Sequence, residues 1–210
     1  MFGLVLDPSS VIPCGDKSEE DKEAIREIGS IIGPELTVYF SIQLLKTYRT
    51  VVYPKLREHH PLPRFQAKLY NFLLSYKSPS IRRCKALRAL GTNIHILERV
   101  WLEKYDVSGM GLKGEDVEVL RVAFAASHWE DSVFLVTADR HFFEDLDVAE
   151  LVKRYPEGKK IRIVKPSDQE LLDMLYEIRG IDKEILDLKR RFAKLQRELL
   201  KDLEEEPEDS

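Results

Sequence analysis

The chain has 210 residues, 43% of them hydrophobic and 33% charged, with a formal net charge of −4. That length and balance predict a soluble globular protein with one good-sized core, or one domain plus an appendage, and argue against a disordered chain. They also exclude a membrane-spanning class, because no apolar run approaches the ~20 residues that cross a bilayer. The opening MFGLVLDPSS has no basic stretch and turns polar too soon for a signal peptide. Cys14 and Cys84 lack any metal-binding spacing and read as unpaired thiols of a reducing cytosol, so the expected location is cytoplasmic.

Phe2 to Leu6 (FGLVL) predicts a buried strand. The polar loop Asp7-Pro8-Ser9-Ser10 ends it, since Pro8 cannot continue a central ladder. In EEDKEAIREIGSII, Ala24, Ile25, Ile28, Ile31 and Ile32 recur at helical spacing, with acids in the first turn and Gly33-Pro34 as the stop. Leu36 to Phe40 (LTVYF) predicts a second strand, and Ser41 the N-cap of a helix over SIQLLKTYRTVVYPKL. Beyond Pro54 the pattern is helical but broken by Pro61, Pro63 and Pro79, which predicts short helices near Arg64 to Tyr76 and Ile81 to Leu90. Asn93 to Leu97 predicts a short strand, and the glycines between Val107 and Gly114 a loop. A helix over Glu115 to Ser127, a strand over Val133 to Thr137, a helix from about Arg140 to Arg154 and a strand over Ile161 to Val164 complete the series. This alternation predicts a three-layer α/β/α domain over residues 1–166, with a central, mostly parallel sheet.

Charge is unevenly spread. From Lys55 to Lys104 there are eleven Lys or Arg against three Glu, interleaved with aromatic residues. Such a surplus in an acidic protein suggests a surface for phosphates; the plainer reading is solvated helix faces over an aromatic core. The candidate phosphate contacts are Arg57, Arg64, Lys68, Arg82, Arg83, Lys85 and Arg88. From Ser167 onward Leu171, Leu175, Ile178, Ile185, Leu188, Phe192, Leu195 and Leu199 follow a 3–4 spacing, which predicts one long amphipathic helix over 167–204. Ser167 and Glu170 match a capping box at its start. Its apolar stripe needs cover, either from the sheet domain or from another copy in a homodimer. The acidic tail, 205–210, is predicted to be disordered.

Two apolar runs deliver an acid at the same place. Asp7 follows the first strand, and Asp139 follows Phe134 to Thr137 (FLVT). Parallel strands put both on the carboxyl edge of the sheet, where open α/β sheets do their chemistry. Asp116 opens the helix before the second of these strands and can face the same edge. Each acid alone reads more readily as a cap or turn residue. Together they would repel one another, and a divalent cation with oxygen ligands, Mg²⁺ or Mn²⁺, is the usual resolution. Such an ion lowers the pKa of bound water and offsets charge on a phosphate.

These residues resemble a known family. LVLDPSSVI (Leu4 to Ile12), EDVEVLRVAFA with Asp116 and Ala123, and LVTADRHF with Thr137, Asp139 and Phe142 are similar, in order, to motifs of PIN domains, a nuclease-like fold of toxin nucleases and RNA-processing ribonucleases. The resemblance covers about residues 2 to 165. It implies metal ligation and catalysis by Asp7, Asp116 and Asp139, supported by Ser9 and Thr137, on single-stranded RNA. One position departs: in YFSIQLLKTYRTVV, Lys46 stands where the family usually has Glu. An ammonium there would neutralise the acids and weaken metal binding, with Glu115 or Glu118 left to supply the missing oxygen. Three readings follow. The first is a metal-dependent endoribonuclease. The second is a degenerate PIN-like module that binds RNA or a regulatory protein partner without cleaving. The third is a dimerising scaffold built on the C-terminal helix.

Overall fold

A computed structural model describes residues 2–13, 15, 17–33, 35–58, 62, 64–75, 93–180, 188, 191, 192 and 195. Five strands form one sheet: β1 (Phe2–Leu6), β2 (Thr37–Ser41), β3 (Asn93–Leu97), β4 (Ser132–Val136) and β5 (Ile161–Val164). Their order is β3-β2-β1-β4-β5, and every pairing is parallel. Helices flank the sheet, consistent with the three-layer class expected. β1, β2 and β4 are buried over four consecutive residues each, as central strands covered on both faces must be.

The helices are α1 (Glu19–Ile31), α2 (Ile42–Thr47), α3 (Tyr53–Glu58), α4 (Arg64–Ser75), α5 (Arg99–Leu102), α6 (Glu115–Ala126), α7 (His141–Glu144), α8 (Val148–Arg154) and α9 (Gln169–Ile178). α1 starts where Ser18 accepts a hydrogen bond from the Asp21 amide, and it buries the expected face of Ala24, Ile25, Ile28 and Ile31. α4 locks onto it through Gln66, whose Nε2 donates to the Ile25 carbonyl at 3.1 Å. α6 is buried from Val119 to Ala126 apart from Arg121, and it packs against β1, β2, β3 and β4. Its alanines let the backbone approach the sheet closely, which fixes where its first turn lies.

Several expectations shift in detail. The helix predicted after Ser41 is α2 and α3 joined by a π-helical turn, Tyr48–Val52, a local widening of the kind that tends to mark functional sites. The helix predicted from Arg140 to Arg154 is two pieces. It breaks at Asp145 to Asp147, where the Asp147 side chain accepts from the Glu150 amide and starts α8 afresh. Ser167 does not cap the last helix. Asp168 does, accepting from the amides of Glu170 and Leu171, while the Ser167 hydroxyl donates to Asp21 of α1 at 2.7 Å. Beyond α9 the expected helix over 167–204 falls largely outside the described residues, as do the expected helix over 81–90, the tail 205–210, Cys14 and Cys84. Among the described residues no helix is long and apolar enough to cross a membrane.

The break before α8 is braced by the loop preceding α6. Gly111 has φ +89°, and a Cβ there would lie 2.0 Å from the Asp145 carbonyl oxygen. Both the backbone conformation and the contact exclude a side chain. Gly111→Ala is therefore expected to lower unfolding stability by at least ~2 kcal/mol. Urea denaturation checks it, and an unchanged midpoint would show that this loop does not hold the α7–α8 corner.

Candidate active site

From β1 the chain runs outward through β2 to β3, then crosses back to β4 and outward again to β5. Neighbouring strands β1 and β4 therefore send their following loops to opposite sides, which opens a crevice at their carboxyl ends. Leu6 pairs with Val136, so Asp7 and Thr137 emerge side by side. The Asp7 amide donates to the Val136 carbonyl at 2.9 Å and carries the pairing one step past the strands.

The Asp7 carboxyl group is drawn into this joint. Its Oδ2 accepts from the Ser9 amide at 2.9 Å, from Thr137 Oγ1 at 3.2 Å and from the Ser9 hydroxyl. Each hydroxyl is in turn fixed by an amide from the β4 loop. Ala138 N donates to Ser9 Oγ at 2.9 Å, and Asp139 N donates to Thr137 Oγ1 at 3.0 Å. Both hydroxyl protons point to Asp7, so the 3.3 Å approach of Ser9 Oγ to Thr137 Oγ1 is a crossing of two ordered groups. Next door, Tyr48 is fully buried and its hydroxyl donates to the Leu6 carbonyl at 2.5 Å.

Electrostatics tie three acids together. Asp7 is only 3% exposed. Burial pushes its carboxyl up to about 6, with the nearby Asp116 adding to the rise and the bonds from Ser9 and Thr137 opposing it. Asp116 is half-buried in the first turn of α6. Its carboxyl is likewise pushed up to about 6, first by burial, then by the charges of Asp139 and Glu115, with His141 opposing. Asp139 is half-buried, and its Oδ1 accepts from the His141 amide at 3.0 Å in a tight turn just before α7, whose N-cap is Arg140. His141 is raised by its bond to Asp145 and then by the Asp139 charge. Burial, then Asp7 and Glu115, hold the Tyr48 phenol well above its ordinary value.

Of the residues singled out in the sequence, Asp7, Ser9, Asp116, Thr137 and Asp139 meet at this edge, and Glu115 acts on it electrostatically. Lys46 does not join them. It is exposed on α2 and lines a neighbouring cavity with Ser41 and Glu118, and it is not among the charges that shift Asp7 or Asp116. Glu118 faces that cavity too, accepting from the Ser41 hydroxyl at 2.5 Å. Arg57 and Arg64 are exposed on α3 and α4, and Lys68 is half-buried on α4; none of them is among the charges that shift Asp7 or Asp116. Arg82, Arg83, Lys85 and Arg88 lie outside the described residues. Tyr48 and His141 also reach this edge without having been candidate site residues; Tyr48 belongs to the stretch YFSIQLLKTYRTVV, two residues after Lys46, and the only signal for His141 is its position two residues after Asp139.

Carboxylate and hydroxyl oxygens are the donors that a hard divalent ion prefers, so the donor set suits Mg²⁺ or Mn²⁺ in kind. The arrangement is looser than a formed metal centre. Among the described residues no group of three or more His, Cys, Asp or Glu side chains converges closely enough to hold an ion. In comparisons with known proteins, no family model, no curated protein and no solved structure matches this chain.

A carboxyl raised from 3.8 to about 6 binds its proton more tightly in the folded chain than in the unfolded one. The native state is thus favoured below pH ~4, and that advantage is lost as pH rises through ~6. Replacing Asp7 by Asn removes the buried charge. In metal-free buffer, Asp7→Asn is expected to match wild type at pH 4 and to exceed it at pH 7.5 by up to ~3 kcal/mol. Denaturant unfolding across this range tests it, and an Asn variant that loses stability relative to wild type as pH rises would refute the assigned burial cost.

Proposed function

We propose that this chain is a metal-dependent ribonuclease of PIN-like fold that hydrolyses phosphodiester bonds of single-stranded RNA. The observation that carries the reading is that three acids from separate segments meet at the carboxyl edge of the sheet, where the charge of Asp116 acts on Asp7 and that of Asp139 on Asp116. Under this reading Asp7, Asp116 and Asp139 hold Mg²⁺ or Mn²⁺. When bound, the ion supplies a water of lowered pKa and offsets charge developing on the phosphate. The protein's own contribution is orientation. Ser9 and Thr137 fix the Asp7 carboxyl through Oδ2, and among the described residues Oδ1 has no hydrogen bond and is the oxygen left to face a ligand. The first turn of α6 points its positive dipole end toward the same place, which favours an anion there. The proposal extends to a cytosolic setting and to a helical appendage continuing α9 over 167–204.

A second reading is binding of RNA without cleavage. The looseness of the acidic group favours it, as does Lys46 facing a cavity next to the acids rather than the acids themselves. Affinity would then come from Lys and Arg contacts to the backbone and fall steeply with salt.

Cleavage of labelled single-stranded RNA with Mn²⁺ separates the two. Wild type is expected to cleave, and Asp116→Asn and Asp139→Asn are each expected to lose ~100-fold or more, the scale of several kcal/mol of charge stabilisation. An inert wild type that still binds RNA in a salt-sensitive way would establish the binding reading in its place.

A further inference from the structure

A cavity of about 560 Å³ opens beside the acidic crevice, at the carboxyl ends of β2 and β3. Ser41 ends β2 and Leu97 ends β3, and both line it. Its size lies within the range of small-molecule sites, ~300–1,000 Å³.

The polar groups around it are unevenly satisfied. Its acids have partners: Glu103 pairs with Arg99 at 2.5 Å, Glu118 accepts from Ser41, and Asp106 accepts from the Ser108 amide at 3.1 Å. Two of its cations have no ion pair among the described residues. Arg121 spends Nε on the Tyr105 carbonyl at 3.2 Å, and neither its remaining nitrogens nor the Lys46 ammonium has an ion pair among the described residues. The donors left over are therefore positive and call for an anionic acceptor, and both Lys and Arg suit phosphate. Leu97 and Leu102 give the same cavity an apolar wall, with Ile42 on its exposed side. Inorganic phosphate would leave that wall uncovered. A phosphate joined to a flat, largely apolar ring system would satisfy both halves.

Position narrows the choice further. β2 is the neighbour of β1, and adjacent strands are ~4.8 Å apart, so the ends of β2 and β3 lie ~5–10 Å along the sheet edge from Asp7. A nucleic-acid strand with one phosphate at the acids would carry an adjoining nucleotide over this opening. We propose that the cavity binds one nucleotide of the RNA strand next to the phosphate held at the acids, with Lys46 and Arg121 meeting its phosphate and the Leu97–Leu102 wall taking its base. Lys46 is then a binding residue of the substrate strand, not a replacement for a metal ligand. The identity of the strand as RNA rests on the ribonuclease reading; the nucleotide site itself does not.

The test uses the full chain in metal-free buffer, titrated with each of the four ribonucleoside 5′-monophosphates and followed by calorimetry. At least one is expected to bind saturably. Lys46→Ala, which removes a charge-assisted contact, and Ile42→Trp, which fills the opening, are each expected to weaken it by ~10-fold or more, as is deleting the phosphate from the ligand. Both substituted side chains are exposed, and matched thermal unfolding curves confirm that the variants are folded. The proposal is overturned if none of the four binds, if inorganic phosphate binds as tightly as the best nucleotide, or if both variants bind like wild type. These outcomes separate from those of the cleavage assay. Nucleotide binding that depends on Lys46 in a protein inert toward RNA would leave the cavity standing and remove the ribonuclease. Manganese-dependent cleavage without any nucleotide binding would do the reverse.

Discussion

The burial of one carboxyl group sets the terms for the rest of this site. Asp7 sits at the end of a central strand, only 3% exposed, beneath its own 3₁₀ turn. A bare carboxylate in such a place would be very costly. Two hydroxyls and an amide meet it at one oxygen, and two further amides fix those hydroxyls. That network spans β1 and β4 and joins the two loops that the topology sends apart. It still leaves the carboxyl raised to about 6, so hydrogen bonding offsets only part of the desolvation. A positive ligand would supply what these bonds do not.

Position comes from the sheet and charge from α6. The parallel order with β1 and β4 adjacent makes Asp7 and Thr137 neighbours whatever the loops do. Asp116 arrives by a different route. Beyond its acidic first turn α6 is apolar apart from Arg121, and its small residues press it against four strands. The helix cannot roll without exposing Val119, Val122 or Phe124, each fully buried. Core packing thus fixes the direction of Asp116, and repulsion from Asp139 and Glu115 is tolerated because burying this helix stabilises far more than the crowding costs.

Much of this was legible in the residues. Continuous apolar runs marked the central strands β1, β2 and β4, which have no polar face to confuse the pattern, and alternating runs marked the edge strands β3 and β5. The acids after β1 and β4 were legible for the same reason, since a strand end is a sharp boundary. Local chemistry beyond those boundaries was less so. Ser167 and Glu170 satisfy a capping box on paper, yet Asp168 wins the cap because the Ser167 hydroxyl has a partner far away in sequence, Asp21. The break between α7 and α8 depends on a contact with Gly111, which no local window contains. The orientation of Lys46 was the least accessible. Alignment with a motif fixes a register along a helix, but the direction of its side chain depends on the π-helical turn that follows and on the neighbours of α2.

The separation of the acids from the adjoining cavity has a simple geometric origin. Asp116 and Glu118 are two residues apart on α6, and two steps on an α-helix turn through about 200°. Neighbouring acids in the sequence must therefore look to opposite sides. Asp116 faces Asp139 and Asp7, whereas Glu118 faces Ser41 and the cavity that holds Lys46. One helical turn laid across the carboxyl edge divides it into a negative compartment over β1 and β4 and a compartment over β2 and β3 where Lys46 and Arg121 have no ion pair among the described residues. An ammonium drawn into the negative compartment would pair with the acids and offset their mutual repulsion, lowering the carboxyls. Burial and the neighbouring acids keep Asp7 and Asp116 raised, because the positive charge of His141 offsets only part of the rise at Asp116.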